Sequence, residues 1–553
     1  MARLRRGTIR RINRRSFLRR LAALGALSLT GGCGNSASPL VAGGGSGPVI
    51  DVPGGSFKHG VASGDPLPDR VLLWTRYTPP GEGRFTVRWL IARDAALSSV
   101  VGEGEFVTDA SCDYTVKVDV TGLAPDTSYY YRFTAGGVQS PIGRARTLPA
   151  AGAALERLRF GAVTCTSFGY GYFNALGRLA ERHDLAFCVH MGDYIYEYGD
   201  GEYGEVRRVE PVHEITTLSD YRARHAWHRL DPDLAEWHRQ QTTVHLWDDH
   251  DSANNSWRDG AGNHTDGTEG AWVDRKAAAV KAWREWLPVR DDGADPVKIW
   301  RRFVVGDLFD CMLIDTRLYD RDAQEASPSN YGNPALQLIG PAQRAFLASA
   351  YADSTAVWKG LFTASMLAQY KAVGSVNAVN GGGVYPYNDQ WDGYQAERDA
   401  LLALIAGDAR RNTVVISGDL HGSVACDVCN DPNNPLVYDA LTGAGSVAVE
   451  FVVNSVTSPG DLDSVGPSGT ANATEGAVKT QNPHMKYFDL DQRGFSVFDV
   501  SRKAVQGEWW FVDTILAPST AQSFATAWKV LAGSTHLVTA TESAPLPPRT
   551  PAP

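Results

Sequence analysis

The chain has no apolar run that approaches the roughly 20 residues a membrane-spanning helix needs. Its early hydrophobic stretch, Leu21 to Leu29, is far shorter, so the mature protein is expected to be soluble or tethered only by lipid. Positive charge is also scarce. Met1 to Cys33 contains nine Arg and no Lys, Asp or Glu; without those nine, 44 basic residues face 62 acidic ones, a balance of −18. Such a surface excludes a nucleic-acid-binding module, and an anionic substrate would need bound cations or local arginines to overcome the field. Cysteine is sparse at seven, and the one CxxC pair, Cys426 and Cys429, has no second pair to complete a zinc site. A small disulfide in an oxidising compartment is expected there, with a redox pair as the alternative. Cys112, Cys188 and Cys311 read as ordinary buried thiols, and His264 as a solvent-exposed residue. No internal repeat is visible.

The 553 residues are too many for one compact core and predict two or three units. Residues 1–33 read as a twin-arginine export signal: Asn13-Arg14-Arg15-Ser16-Phe17-Leu18 precedes a modest apolar stretch and Gly31-Gly32-Cys33. This implies the twin-arginine export machinery as a partner and a periplasmic or secreted location. Cys33, after two small residues, is a candidate lipoprotein attachment site. Residues 34–55, with Ala42-Gly43-Gly44-Gly45-Ser46-Gly47-Pro48, have the composition of a flexible linker. From 56 to 150 short apolar runs alternate with turns, as in FTVRWLIARD and YTVKVDVTGL, which predicts a β-sandwich, and Leu123 to Phe133 resembles the strand entry of fibronectin type III-like modules. A structural role is expected of it, with carbohydrate or wall binding as the alternative. From 155 to 520 strand-like runs alternate with helix-like stretches such as Gly171 to His183 and Gln395 to Ala406, the pattern of an α/β fold. Glu202 to Asp233 and Asn254 to Asp295 read as helical and loop insertions rimming a site. Thr520 to Val538 is expected to form a final helix and Ser543 to Pro553 a Pro-rich tail without a core.

Four apolar runs each end in residues that can hold a metal: RLRFGAVTC in Cys165, LAFCVHMGDYIY in Asp193 and Tyr196, TTVHLWDDHD in Asp249 and His250, and NTVVISGDLH in Asp419 and His421. Buried strands read as continuous hydrophobic stretches, and α/β sheets place their chemistry beyond the strand carboxyl ends. The four ends therefore predict one two-metal centre. Asp193 can offer an oxygen to each of two cations and is the expected bridge. Tyr196 as a phenolate implies a strongly Lewis-acidic metal such as Fe(III), and Cys165 would add a thiolate to the same ion. For Cys165 the competing reading is an apolar filler, and for each His a satisfied structural residue. Asp249 suits the second metal, Asp419 the harder site and His421 the ion bearing Tyr196. His250 can meet the substrate, steadying an anion or giving a proton to a leaving oxygen.

The segments Phe57-Lys58-His59-Gly60-Val61-Ala62-Ser63-Gly64-Asp65-Pro66, GDYIYEYG, WDDHD, Asp315-Thr316-Arg317, Trp391-Asp392-Gly393-Tyr394 and GDLH together resemble the PhoD-like alkaline phosphatases, a branch of the calcineurin-like metallophosphoesterases. The resemblance spans Phe57 to Thr514. It implies Fe(3+) held by Cys165, Asp193, Tyr196 and His421, and Ca(2+) near Asp193, Asp249 and Asp419. It also implies an amino-terminal β-sandwich before a four-layer αββα domain. The chain departs from the family at Asp251, where Glu is frequent, and over Gly374 to Gly383. The expected activity is hydrolysis of phosphomonoesters and phosphodiesters by direct attack of a metal-bound hydroxide, since no serine nucleophile motif is evident. Small phosphate esters are the expected substrates, with phospholipids or wall polymers as alternatives. Two other readings are a phospholipase D-like diesterase acting on lipid headgroups and a non-catalytic envelope or adhesion protein.

Overall fold

The structure is a computed structural model, and it describes residues 53–291, 293, 295–372, 383–460 and 468–553, the side chains of 468–474 excepted. The export signal, Cys33, the linker up to residue 52 and nearly all of Gly374 to Gly383 lie outside the described residues. Among the described residues, no helix is long and apolar enough to cross a membrane.

The predicted strands form, and they lie in two large sheets. A ten-stranded sheet runs in the spatial order Leu537–Ala540, Gln522–Leu531, Ala504–Val512, Gly494–Ser501, Arg157–Val163, Cys188–His190, Thr242–His245, Val61–Leu67, Arg70–Arg76 and Thr115–Thr121. A seven-stranded sheet runs Arg301–Val305, Phe309–Leu313, Trp358–Thr363, Thr413–Ser417, Ala448–Val452, Ser423–Val428 and Met485–Asp489. Three of the four metal-bearing runs are parallel or adjacent in the first sheet, Arg157–Val163 with Cys188–His190 and Thr242–His245. The fourth, Thr413–Ser417, lies in the second, between parallel neighbours.

The two sheets pack through aromatic side chains. The Phe160 ring stacks on Phe187 and Phe498 of its own sheet at 5.2 and 5.0 Å, and meets Phe309 and Phe362 of the other at 5.6 and 6.0 Å. Because side chains alternate along a strand, the seven-stranded sheet is buried on both faces. Cys311, Leu313, Val414 and Ile416 join the core shared with the ten-stranded sheet. Met312, Leu361 and Val415 instead join Leu347, Leu401, Leu402 and Ile405 of the helices Gly340–Asp353 and Gln395–Ala406. That double burial explains why these strands read as unbroken apolar runs. At the carboxyl ends the sheets are stitched by a bridge between Thr164 and Ser455, with the Val456 amide donating to the Thr164 carbonyl at 3.0 Å.

The amino-terminal strands divide between two sheets. Val100–Thr108, Phe85–Ala92, Ser128–Ala135, Val138–Gln139 and Gly143–Arg146 form a sheet of their own. Val61–Leu67, Arg70–Arg76 and Thr115–Thr121 extend the large sheet, through the parallel pairing of Ser63 with Thr242 and Gly64 with Thr243. Val71, Leu73, Val87, Ile91, Tyr131 and Phe133 fill the core between these strands.

Three expectations need correction. The segment expected as a helix, Thr520 to Val538, forms the strands Gln522–Leu531 and Leu537–Ala540. Its burial alternates along QSFATAWKVL, a period of two, and Gly533 with φ +80° turns the hairpin. The Pro-rich tail is pinned rather than free. The Arg549 amide donates to the His183 carbonyl at 3.0 Å, the Ala552 amide to Gln240 Oε1 at 2.9 Å, and Tyr130 Oη to the Thr550 carbonyl at 2.8 Å. Cys426 and Cys429 are free thiols. Cys426 lies within Ser423–Val428 and Cys429 just past its end, three residues on, and odd spacings along a strand point side chains to opposite faces.

Candidate metal centre

Each expected ligand emerges where a strand has ended and the chain must turn sharply. Cys165, Asp193, Asp419 and His421 all take left-handed backbone, with φ of 59°, 56°, 65° and 57°. In a residue with a Cβ this conformation costs on the order of 1–3 kcal/mol and persists only where surroundings hold it, typically at functional sites. Gly192, with φ 115°, precedes Asp193 and lets the turn pass close to the next strand end; a Cβ there would stand 2.6 Å from the Asp248 backbone nitrogen.

These turns bring the sequence-predicted residues together. Cys165, Asp193 and His421 each direct one donor atom into a cluster within 4.8 Å, and the same holds for Asp193, Asp249 and His250, and for Asp248, Asp249 and Asp419. Asp193 and Asp249 each belong to two of these clusters. Tyr196 Oη lies 2.9 Å from Asp193 Oδ2 and 3.3 Å from His421 Nε2, and Cys165 Sγ lies 3.5 Å from Asp193 Oδ2. His421 Nδ1 is bonded to the Pro459 carbonyl at 2.7 Å, so Nε2 is the nitrogen left for the centre.

The electrostatics are those of an anionic cage short of positive charge. Burial drives the Cys165 thiol and the Tyr196 phenol far above their usual range, and the Asp193 carboxylate adds to both. Asp193 and Asp248 are themselves driven well up by burial and by neighbouring carboxylates. Asp419 is pushed up to about 8, chiefly by burial, although Arg317 pulls the other way. Asp249 is held at about 2, because Arg317 and His250 outweigh its burial. Burial lowers His421 to about 4, keeping its imidazole neutral. Asp248 Oδ2 and Asp249 Oδ1 are buried with no hydrogen-bond partner. Buried carboxylates left in this state are costly, and cations are the compensation such a donor set fits.

Several residues of the centre are not identified by the strand-end pattern. Asp248 is one, although it sits in the WDDHD run. Arg317, fully buried, is another: it binds Asp248 through Nε, Asp389 at 2.8 Å and Asp419 at 2.9 Å, and lies 3.5 Å from Asp249. Its DTR segment is part of the family resemblance, but nothing local showed that it would face carboxylates. Glu197, also fully buried, binds His250 Nδ1 at 2.8 Å through Oε2, while Oε1 accepts from the Asn254 amide at 2.8 Å and Asn263 Nδ2 at 2.7 Å. Burial alone would neutralise His250, but Glu197, Asp249 and Asp193 hold it protonated well above the usual range. Ser458 donates to Tyr196 Oη at 2.6 Å and had no sequence signal. Asp251 accepts from the amides of Asp193, Tyr194 and Asp248 at 3.0, 3.1 and 3.0 Å, so the shorter acid at this position anchors the turn that carries Asp193. The insertions contribute the helices Leu218–His228 and Trp272–Trp286, and the first runs into the helix Pro232–Gln240. His264, expected in solvent, has a side chain only 3% exposed, between Asp266 and Glu269 and against the Trp272 ring at 5.3 Å.

Strands from two packed sheets deliver a thiol, a phenol, imidazoles and clustered carboxylates to one point, a donor set that could hold metal ions, and the chain is a phosphoric ester hydrolase that belongs to the PhoD-like phosphatase family. The family model matches residues 160–509, and that of the PhoD-like phosphatase N-terminal domain matches residues 50–149. Among individual proteins, the chain is 34% identical over 489 residues to alkaline phosphatase D of Bacillus subtilis (strain 168), covering 84% of this chain and 79% of that protein. It also superposes on a solved structure of PhoD with a TM-score of 0.78 at 31% identity, covering 89% of this chain and 93% of the other. The protein is accordingly a phosphatase acting on phosphate esters.

Proposed function

We propose that this phosphatase is exported by the twin-arginine route to the periplasm or beyond and hydrolyses both phosphomonoesters and phosphodiesters without a covalent phosphoenzyme. In this reading Fe(III) is held by Cys165, Asp193, Tyr196 and His421, and calcium by Asp193, Asp249 and Asp419, with Asp248 close enough to join the second set. A thiolate, a phenolate and an imidazole suit a ferric ion, and clustered carboxylate oxygens suit a hard divalent one. Such cations would supply Lewis acidity and neutralise the charge of a phosphoryl group. The observation that carries the reading is the convergence of these donors around buried, partnerless carboxylate oxygens.

The chain's own residues do the rest. Glu197 fixes the proton of His250 on Nδ1, leaving Nε2 to face the ester and give a proton to the departing oxygen. Arg317 ties Asp248, Asp389 and Asp419 into one frame and offsets part of their repulsion. The packing of helices against the seven-stranded sheet supports a four-layer αββα arrangement for residues 155–520, and the strands of residues 56–150 support a fibronectin III-like sandwich.

Single-turnover hydrolysis of a chiral phosphate ester in labelled water tests the chemistry. Inversion at phosphorus is expected; retention would require a covalent intermediate and overturn the reading. Elemental analysis should find iron and calcium, and a visible absorption band from phenolate bound to Fe(III) should vanish in Tyr196→Phe.

A further inference from the structure

Arg229 caps the carboxyl end of the helix Leu218–His228, and its side chain runs into the interior, where the residue is 1% exposed. Its Nε donates to the His59 carbonyl at 3.3 Å, and the guanidinium lies over the Trp74 ring at 4.3 Å. The two terminal nitrogens, Nη1 and Nη2, make no hydrogen bond of good geometry, and the polar group that acts on them most strongly is the Tyr194 hydroxyl. Arginine cannot shed its proton in a protein, and an unpaired ion held out of water is among the costliest things a fold can contain. The neighbours that act on this charge, after burial itself, are the hydroxyls of Tyr194 and Tyr131, which are neutral, and no carboxylate.

The surrounding polar groups share the same condition. Tyr131 Oη, Nδ1 of His59 and both ring nitrogens of His225 are buried without a hydrogen bond of good geometry, the Ser63 hydroxyl being the polar side chain beside Tyr131. His225 lies parallel to the Trp286 ring at 6.3 Å, His59 meets the same ring edge-on at 5.2 Å, and Tyr194 stacks on His225 at 5.9 Å. Burial first, and Arg229 after it, keep His225 at about 3, so its imidazole is neutral and carries one N–H. Guanidinium N–H groups, a phenol and neutral imidazoles thus supply donors around one uncompensated positive charge, with no anion of the protein to receive them.

We propose that Arg229, Tyr131, His59 and His225 enclose a binding site for a small monovalent anion of the halide class. One unit of positive charge calls for one of negative, which disfavours a phosphate dianion, and residues exposed by no more than 2% exclude a bulky or exchanging substrate. The site lies behind the loop that bears Asp193 and is independent of the assignment of the metal centre. Its occupant would stabilise the fold rather than react, because binding to the folded state alone raises stability by mass action.

Crystals of the full chain grown in bromide, with data collected at the bromine edge, test this directly. An anomalous peak in contact with Nη1 and Nη2 of Arg229 is expected; a map showing only water there overturns the proposal. In solution, replacing gluconate with chloride or bromide at constant ionic strength should raise Tm by at least about 2 °C. Arg229→Met should abolish that halide dependence; an equal rise in the variant would also overturn the proposal. Should the variant fail to fold, the anomalous map of the unaltered protein decides the matter.

Discussion

The strand Arg157–Val163 has a buried cluster of charges near each end, and the two are balanced in opposite ways. At its start, Arg159, 1% exposed, contacts Asp184, Asp499 and Glu508, the last two at 3.2 and 3.6 Å, and Arg157 shares Asp499. The Leu546 and Ser543 amides of the tail complete Asp184 and Glu508 at 3.2 and 2.8 Å. Each of these carboxylates has a guanidinium within ion-pair distance, although Arg159 Nε, 3.2 Å from Asp499, makes no hydrogen bond of good geometry. Past the strand's other end, at Cys165, carboxylates, a thiol and a phenol crowd around Asp193 with Arg317 and His250 as their cationic neighbours, and some of their oxygens stay partnerless. The same cost of burial is settled internally at one end and left for ligands at the other. That contrast separates a structural cluster from a functional one more clearly than burial or charge taken singly.

Substitutions should divide along the same line. Arg159→Leu leaves Asp184 and Glu508 buried without their cation, Asp499 keeping Arg157, and is expected to lower folding stability by about 3–5 kcal/mol, read by urea unfolding, while kcat of the folded fraction is retained. A parallel collapse of kcat would break the contrast. Asp193→Asn should cost at least about 100-fold in kcat, beyond the usual effect of residues that merely orient ligands, together with loss of bound metal by elemental analysis and little loss of metal-free stability. Glu197→Gln is expected to lower kcat by about 10–100-fold with metal content intact. The loss should be greater for alkyl than for nitrophenyl esters, since only poor leaving groups need the proton from His250; equal losses would argue against that role.

A matched group away from the centre has an effect that is negligible at neutral pH and grows only in acid. Burial lowers His484 to about 3, where its Nε2 meets the Gln369 carbonyl at 2.8 Å. The unfolded chain, with an ordinary value of about 6.5, takes up the proton first, so this histidine's contribution is intact above that pH and falls as the pH drops toward 3. His484→Gln should therefore gain on the unaltered protein by up to about 1.4 kcal/mol per pH unit across that window. A pH-independent difference would mean that the imidazole titrates normally.

Much of the centre was legible because strands buried on both faces leave an unmistakable apolar trace, and a polar residue at the end of such a trace stands out. Cys165, Asp193, Asp249 and Asp419 were readable on that ground, and the same logic pointed to His250, His421 and Tyr196 one, two and three residues after an aspartate. The division of those strands between two sheets was not readable, because an apolar run does not say which sheet it joins. Glu197 and Arg317 were hidden for a related reason: their role depends on side chains brought close by folding, and charged residues on loops are ordinarily solvated. The carboxyl-terminal hairpin was missed because Ala, Lys and Leu in QSFATAWKVL favour a helix locally, and pairing with Ala504–Val512 overrides that preference.

The left-handed turns at Cys165, Asp193, Asp419 and His421 tie what each position donates to how the main chain is wound there. Acidic and amide side chains tolerate that winding and branched ones do not, so exchange of Asp for Asn at 193 or 419 alters charge while sparing the loop, whereas Val or Thr would unseat it. Selection acting on the donor atoms thereby also restricts the backbone, and a centre of this kind is more easily retuned by amide-for-acid swaps than rebuilt with a new set of donors.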